Sequence, residues 1–300
     1  MTFPGARPPD RSQRIAVNGV GIATYEWGAA DAPIIFCVHG GFDFARTYDV
    51  FAPLLADAGW RVISWDQRGH GDSDQVALHS WDSDVRDAAC VIGHFTGRPS
   101  IVVGHSKGGA LMLQLSEAQP HRFSIMINFD GVPSQWRMPD VVDHERTRSF
   151  ANEIETWLDD RRSLIGKQRK PGTVEDLARR RGRMNPRLSK EWLEYLVTVG
   201  AREAQDGWRW KIDSSMRFGG FGPWRPEWAQ LRLASLTIPF LGILATELEE
   251  MGWGTTAEAL GPFLPPLGRV IELADTGHFI HIERPEMVAS MVIDFIAEHS

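Results

Sequence analysis

The chain has 300 residues, enough for one large domain or a domain carrying a sizeable insertion. Its apolar fraction of 43% and charged fraction of 24% are those of an ordinary soluble globular protein. A formal net charge of -7 argues against a nucleic-acid partner, and no apolar run is long enough to span a bilayer, so neither nucleic acid nor membrane is expected.

The first dozen residues are rich in Pro, Arg and Gly and read as a loose tail. They hold no apolar signal region, so a cytoplasmic location is the default expectation. Residues 14–27 alternate as an antiparallel strand pair turning at Asn18-Gly19. Apolar runs at 34–38, 60–65, 101–103 and 124–129 suit strands buried on both faces. Residues 49–58, 81–95 and 107–119 between them read as helices. This β-α-β-α order implies an α/β fold with a mostly parallel, doubly wound sheet. Cys37 and Cys90 both sit in apolar runs, and their spacing suits neither zinc nor a disulfide framework. Both are expected as free buried thiols in a reducing compartment.

After Pro133 the pattern changes. Residues 145–158 and 191–203 look helical, and no strong apolar strand recurs until about 235. The run Arg179-Arg180-Arg181-Gly182-Arg183 reads as a solvated helix face. Seven of the twelve tryptophans fall here: Trp136, Trp157, Trp192, Trp208, Trp210, Trp224 and Trp228. Most are expected to pack against one another. With Met216, Phe218 and Phe221 nearby they still predict an apolar or aromatic pocket for a small molecule. Residues 218–224 read as a lid loop. Strands return at 239–244 and 269–273, and an amphipathic helix closes the chain at 286–298. The expected organisation is a core of 1–133 and 236–300, interrupted by a helical cap of 134–235. A homodimer is compatible with these features.

Gly104-His105-Ser106-Lys107-Gly108 matches G-x-S-x-G in the context that motif requires, after a strand and before a helix. The sharp turn would present Ser106 as a nucleophile, with helix N–H groups behind it. His39-Gly40-Gly41-Phe42 follows the strand at 34–38. The N–H groups of Phe42 and Lys107 are the expected oxyanion donors, while the Lys107 side chain is expected to point to solvent.

Four ordered blocks then resemble the α/β-hydrolase superfamily of esterase and C–C hydrolase type. They are His39 to Phe42, Asp66-Gln67-Arg68-Gly69-His70-Gly71-Asp72-Ser73, Gly104 to Gly109, and Thr276-Gly277-His278-Phe279 through Glu283-Arg284-Pro285-Glu286. The resemblance implies the α/β-hydrolase fold over 14–133 and 236–300, and His278 as the general base. It marks the Asp66 to Ser73 block as a structural loop, so neither Asp66 nor Asp72 is assigned to catalysis. His39, His105 and His281 are expected to be structural. The family's usual acid follows the strand at 239–244, but that loop holds no Asp, only Glu247, Glu249 and Glu250. Asp130, after the strand at 124–129, occupies the position used by haloalkane dehalogenases. It is the first choice, with Glu249 and Glu247 as alternatives.

A Ser nucleophile excludes the dehalogenase and epoxide-hydrolase reactions of this fold, which use Asp. The expected activity is hydrolysis of a carboxylic ester or lactone of an apolar or aromatic small molecule through an acyl-enzyme on Ser106. A C–C hydrolase of β-diketone type and a slow-turnover ligand receptor on the same fold are the alternatives. No metal or organic cofactor is implied.

Overall fold

A computed structural model describes residues 2–76, 79–133, 168–216 and 226–299, together with scattered positions between 148 and 163. Trp136, Trp157, Phe218, Phe221, Trp224 and most of the expected helix 145–158 lie outside the described residues.

The chain opens on strands β1 (Arg11–Val17) and β2 (Val20–Trp27), paired antiparallel. Their two-residue turn holds Asn18 and Gly19 at φ of 49° and 78°, the left-handed pair such a hairpin needs. Alternating strands and helices follow: β3 (Ile34–Val38), α1 (Phe51–Asp57), β4 (Arg61–Trp65), α2 (Trp81–Phe95), β5 (Ser100–His105), α3 (Lys107–Ala118) and β6 (Phe123–Phe129). After the inserted segment come β9 (Phe240–Ala245), a short helix α7 (Ala257–Leu260), β10 (Gly268–Leu273) and two helices, α8 (Ile280–Glu283) and α9 (Pro285–Glu298). The described residues form an eight-stranded sheet ordered β1-β2-β4-β3-β5-β6-β9-β10, parallel from β4 to β10.

The unbroken apolar runs have a direct cause. In β3, Phe36 and Val38 face one core while Ile35 and Cys37 face the other. In β5, Val102 faces the first, and Ile101 and Val103 the second. Helices α2 and α3 cover one face, and α1 and α9 cover the other, so alternate side chains are buried on both sides. Burying one such side chain is worth about 1.5–3 kcal/mol.

Within the insertion, α4 (Val174–Gly182) and α5 (Lys190–Gly200) lead into a hairpin of β7 (Ala201–Ala204) and β8 (Gly207–Trp210). This corrects the strand-free reading of that region and shortens the helix expected at 191–203. The chain leaves α5 at Gly200, where an added Cβ would lie 2.1 Å from the Phe44 ring. These short strands alternate poorly in hydropathy, so no apolar run marks them. Helix α6 (Pro226–Ala234) then returns the chain to β9.

A third apolar cluster joins the insertion to the core. It contains Leu177, Trp192, Leu196 and Val197 together with Phe44, Val50 and Phe279. Trp208 and Trp210 pack beside it, whereas Trp228 is exposed. The N-terminal segment is docked instead of loose. Phe3 meets Trp192 edge-on, and Arg7 O accepts from Trp27 Nε1 at 3.0 Å. Cys37 is buried as expected, but Cys90 is exposed.

Candidate active site

Strand β5 ends beneath a tight turn that places Ser106 at φ 51° and ψ -122°, a conformation a non-glycine residue holds only under constraint. Close backbone approach supplies that constraint. A Cβ at Gly104 would lie 2.6 Å from Gly108 O, and one at Gly108 would lie 2.3 Å from Val38 O. Only glycine fits at either position. Ser106 N–H donates to Phe129 O at 2.9 Å, which ties the turn to the end of β6.

Asp130 is the next residue after β6, also at positive φ (45°), with its N–H on Ile243 O at 2.9 Å. Its Oδ2 lies 2.6 Å from His278 Nδ1, and both residues are buried. A carboxylate at that distance makes Nδ1 the protonated ring nitrogen, leaving Nε2 as the basic one. His278 Nε2 is buried and makes no hydrogen bond among the described residues. Of Asp130, Glu247 and Glu249, it is Asp130 that the structure brings to the ring of His278. Glu249 is present too, but on the backbone: its Oε2 accepts the His278 N–H at 2.7 Å. Burial raises the Glu249 pKa, and the His278 amide, Arg187 and the His278 ring oppose that rise. The Glu247 N–H instead bonds Thr276 O at 3.0 Å.

The loop that carries His278 is held at further points that the residue pattern did not reveal. His105 Nε2 donates to His278 O at 2.9 Å. Burial holds this imidazole well below its ordinary pKa, so it stays neutral. Glu283 Oε1 accepts the Gly277 N–H at 3.0 Å. The signals were in plain view, since His105 is inside the serine motif and Glu249 stands 29 residues before His278, but sequence spacing cannot distinguish a ring contact from a backbone contact.

The loop after β3 carries the other expected donor. Phe42 sits at φ 59°, and its N–H donates to His70 Nε2 at 3.2 Å. His70 Nδ1 in turn donates to Arg68 O at 3.0 Å, which fixes the tautomer that accepts from Phe42. The Phe42 N–H is therefore engaged with a side chain. Gly40 lies against Ser106, since a Cβ there would stand 3.1 Å from the Ser106 Cβ. His39 braces the same loop from within, accepting from Gln67 N–H at 3.0 Å, and burial holds its pKa down to about 3. Asp66 accepts the N–H groups of Ala45 and Asp72 at 2.8 and 2.7 Å, a structural arrangement. His281 packs between Tyr48 and Phe129.

Two expectations about cations fail. Lys107 does not reach solvent: its methylenes pass Gly41 and its Nζ pairs with Asp84 Oδ2 at 2.6 Å, in the interior. Arg181 is not part of a solvated face. It is buried, donates from Nη1 to Phe42 O at 2.9 Å, and lies over the Phe279 ring at 5.6 Å. Helix α4 turns this one arginine of the basic run inward toward the core loops. Asp43 lies 3.8 Å from Arg181, and burial pushes its carboxyl up to about 6.

Among the described residues no three or more His, Cys, Asp or Glu side chains gather as a metal would require. No helix among them is long and apolar enough to cross a membrane.

Comparison with known proteins agrees with this architecture. A family model described as "Alpha/beta hydrolase family" matches residues 35–291. A bifunctional esterase/perhydrolase of Acinetobacter calcoaceticus is 30% identical over 47% of the chain, which spans only 55% of that protein. An AB hydrolase superfamily protein of Bacillus subtilis is 24% identical over 95% of the chain and 98% of its own length. Among solved structures, a thioesterase domain from the curacin biosynthetic pathway superposes with a TM-score of 0.80 at 22% identity, covering 95% of this chain and 99% of that one.

Proposed function

The chain belongs to the alpha/beta hydrolase family, and on that premise we propose that it hydrolyses a carboxylic ester or lactone through an acyl-enzyme on Ser106. The observation that carries this reading is the buried Asp130–His278 contact of 2.6 Å, together with a serine held at φ 51° whose N–H bonds Phe129 O, one residue before Asp130.

In this reading Ser106 Oγ attacks the carbonyl carbon and gives its proton to His278 Nε2. Asp130 stabilises the imidazolium formed. The carbonyl oxygen becomes an oxyanion held by the N–H of Lys107, which opens α3, and by an N–H of the His39 to Phe42 loop. Because His70 engages the Phe42 N–H, the donor from that loop is assigned to Gly41. Each such donor is worth roughly 3–4 kcal/mol to the transition state. The tetrahedral intermediate collapses, and His278 returns the proton to the departing alkoxide. A water then repeats the sequence on the acyl-enzyme, losing its proton to His278 and releasing the acid and free Ser106.

Residues 134–235 act here as the cap that selects the substrate, taken to be an apolar or aromatic small molecule. The reaction as written needs no cofactor. An esterase relative, matched over part of its length, supports the ester class. The test is steady-state hydrolysis of a p-nitrophenyl ester series and of simple lactones by wild type and Ser106→Ala. Turnover by wild type and its loss in the variant are expected. A Ser106→Ala enzyme near wild-type activity would overturn the reading.

A further inference from the structure

The loop that carries His278 is gripped by two carboxylates on consecutive amides. Glu249 Oε2 accepts the His278 N–H at 2.7 Å, and Glu283 Oε1 accepts the Gly277 N–H at 3.0 Å. The two carboxylates crowd one place, since a Cβ at Gly277 would stand 2.6 Å from an oxygen of each. Like charges so close oppose each other unless a cation intervenes.

Arg187 supplies that cation, from the inserted segment between α4 and α5. Its Nε donates to Glu283 Oε2 at 2.9 Å, and its Nη2 donates to Asp275 O and Oδ1 at 2.9 and 3.0 Å. The aliphatic part of the side chain passes 2.7 Å from the would-be Cβ of Gly277. One guanidinium therefore joins both ends of the base loop, at Asp275 and, through Glu283, at Gly277.

We propose that Arg187 is a positioning residue for His278: through Glu283 and Asp275 it fixes the backbone of the base loop, and it holds Glu249 and Glu283 side by side on the two amides. The proposal rests on the serine-hydrolase reading above. The charged and titratable groups facing Glu249 are Glu283, His278 and Arg187, and Arg284 adds a further contact to Asp275 Oδ2 at 3.4 Å. Burial and Glu283 raise the Glu249 pKa, while Arg187 lowers it. Without Arg187 the Glu249 carboxyl takes up a proton at higher pH and holds the His278 amide less firmly. The base then drifts from its working position.

The test compares wild type with Arg187→Ala and Arg187→Lys in p-nitrophenyl ester hydrolysis across pH, with melting temperatures measured alongside. The Arg187 side chain is 30% exposed, so truncation leaves no large internal void. Arg187→Ala is expected to lower kcat roughly 10- to 100-fold with little change in KM, as a displaced catalytic group does. The acid limb of its kcat/KM profile is expected to move to higher pH. Arg187→Lys, which keeps the charge without the fork, should restore the acid limb and part of kcat. If Arg187→Ala does not fold, Arg187→Gln and Glu283→Gln carry the same test. Unchanged kcat and an unchanged acid limb in an active background overturn this inference alone. So does a uniform loss of activity at every pH that follows melting temperature and is not restored by Lys. Wild type that fails to turn over any ester overturns the hydrolase reading beneath it.

Discussion

Asp130 Oδ2 meets the ring of His278 at Nδ1 from the end of β6, while Glu249, from the loop after β9, meets the same residue at its backbone N–H. The two carboxylates approach one histidine from different strands and hold different atoms. Gly252 lies against the Asp130–His278 contact, since its would-be Cβ stands 3.6 Å from both Asp130 Oδ2 and His278 Nδ1.

Unequal costs follow for the two acids. Asp130→Asn presents an amide to Nδ1 and can reverse the tautomer, so kcat is expected to fall by roughly 10⁴. Glu249→Gln still offers an oxygen to the His278 N–H and weakens one charged hydrogen bond to a neutral one, a loss of about 1 kcal/mol or about fivefold. Steady-state kinetics on one ester substrate, with circular dichroism to verify folding, decides the order. A larger loss in Glu249→Gln would move the acid's role to the β9 loop.

The strain at Ser106 is measurable as stability. At φ 51° and ψ -122° the residue occupies a region open to glycine, and such strain costs about 1–3 kcal/mol. Ser106→Gly relieves it and loses about 0.5–1 kcal/mol of chain entropy, so the net gain over Ser106→Ala is about 1 kcal/mol. Urea unfolding of the two variants tests this. Equal midpoints would mean the turn is unstrained.

Asp43 ties stability to pH. Burial raises its pKa from 3.8 to about 6, with Arg181 pulling in the opposite direction. The folded state therefore binds this proton more tightly than the unfolded chain, and the group's contribution falls as pH rises through 6. Asp43→Asn lacks that dependence. Between pH 4.5 and 7.5 the variant should gain on wild type by about 2 kcal/mol in urea unfolding. A stability difference that is flat with pH would contradict the assignment.

Much of this was legible in the chain because the sheet is buried on both faces. Runs such as Ile34–Val38 are apolar throughout, and Gly104 and Gly108 are required by backbone approach alone. The hairpin of β7 and β8 was hidden because its strands are short and carry Arg202, Glu203 and Arg209. Arg181 was misread because a run of arginines looks solvated, and only the placement of α4 against Phe42 and Phe279 turns one of them inward. The inward turn of Lys107 leaves no local signal, because its partner Asp84 lies on α2, far along the chain. The division of work between Asp130 and Glu249 depends on which atom of His278 each carboxylate reaches, and that is set by the end of β6 packing beside β9.

Covalent capture of the nucleophile tests the role of Ser106 most directly. Wild type and Ser106→Ala are incubated with a fluorophosphonate, and the adduct is mapped by peptide mass spectrometry. One adduct, on Ser106, is expected to form as ester turnover is lost and to be absent from the variant. An adduct on another residue, or inactivation that proceeds equally in Ser106→Ala, would contradict it.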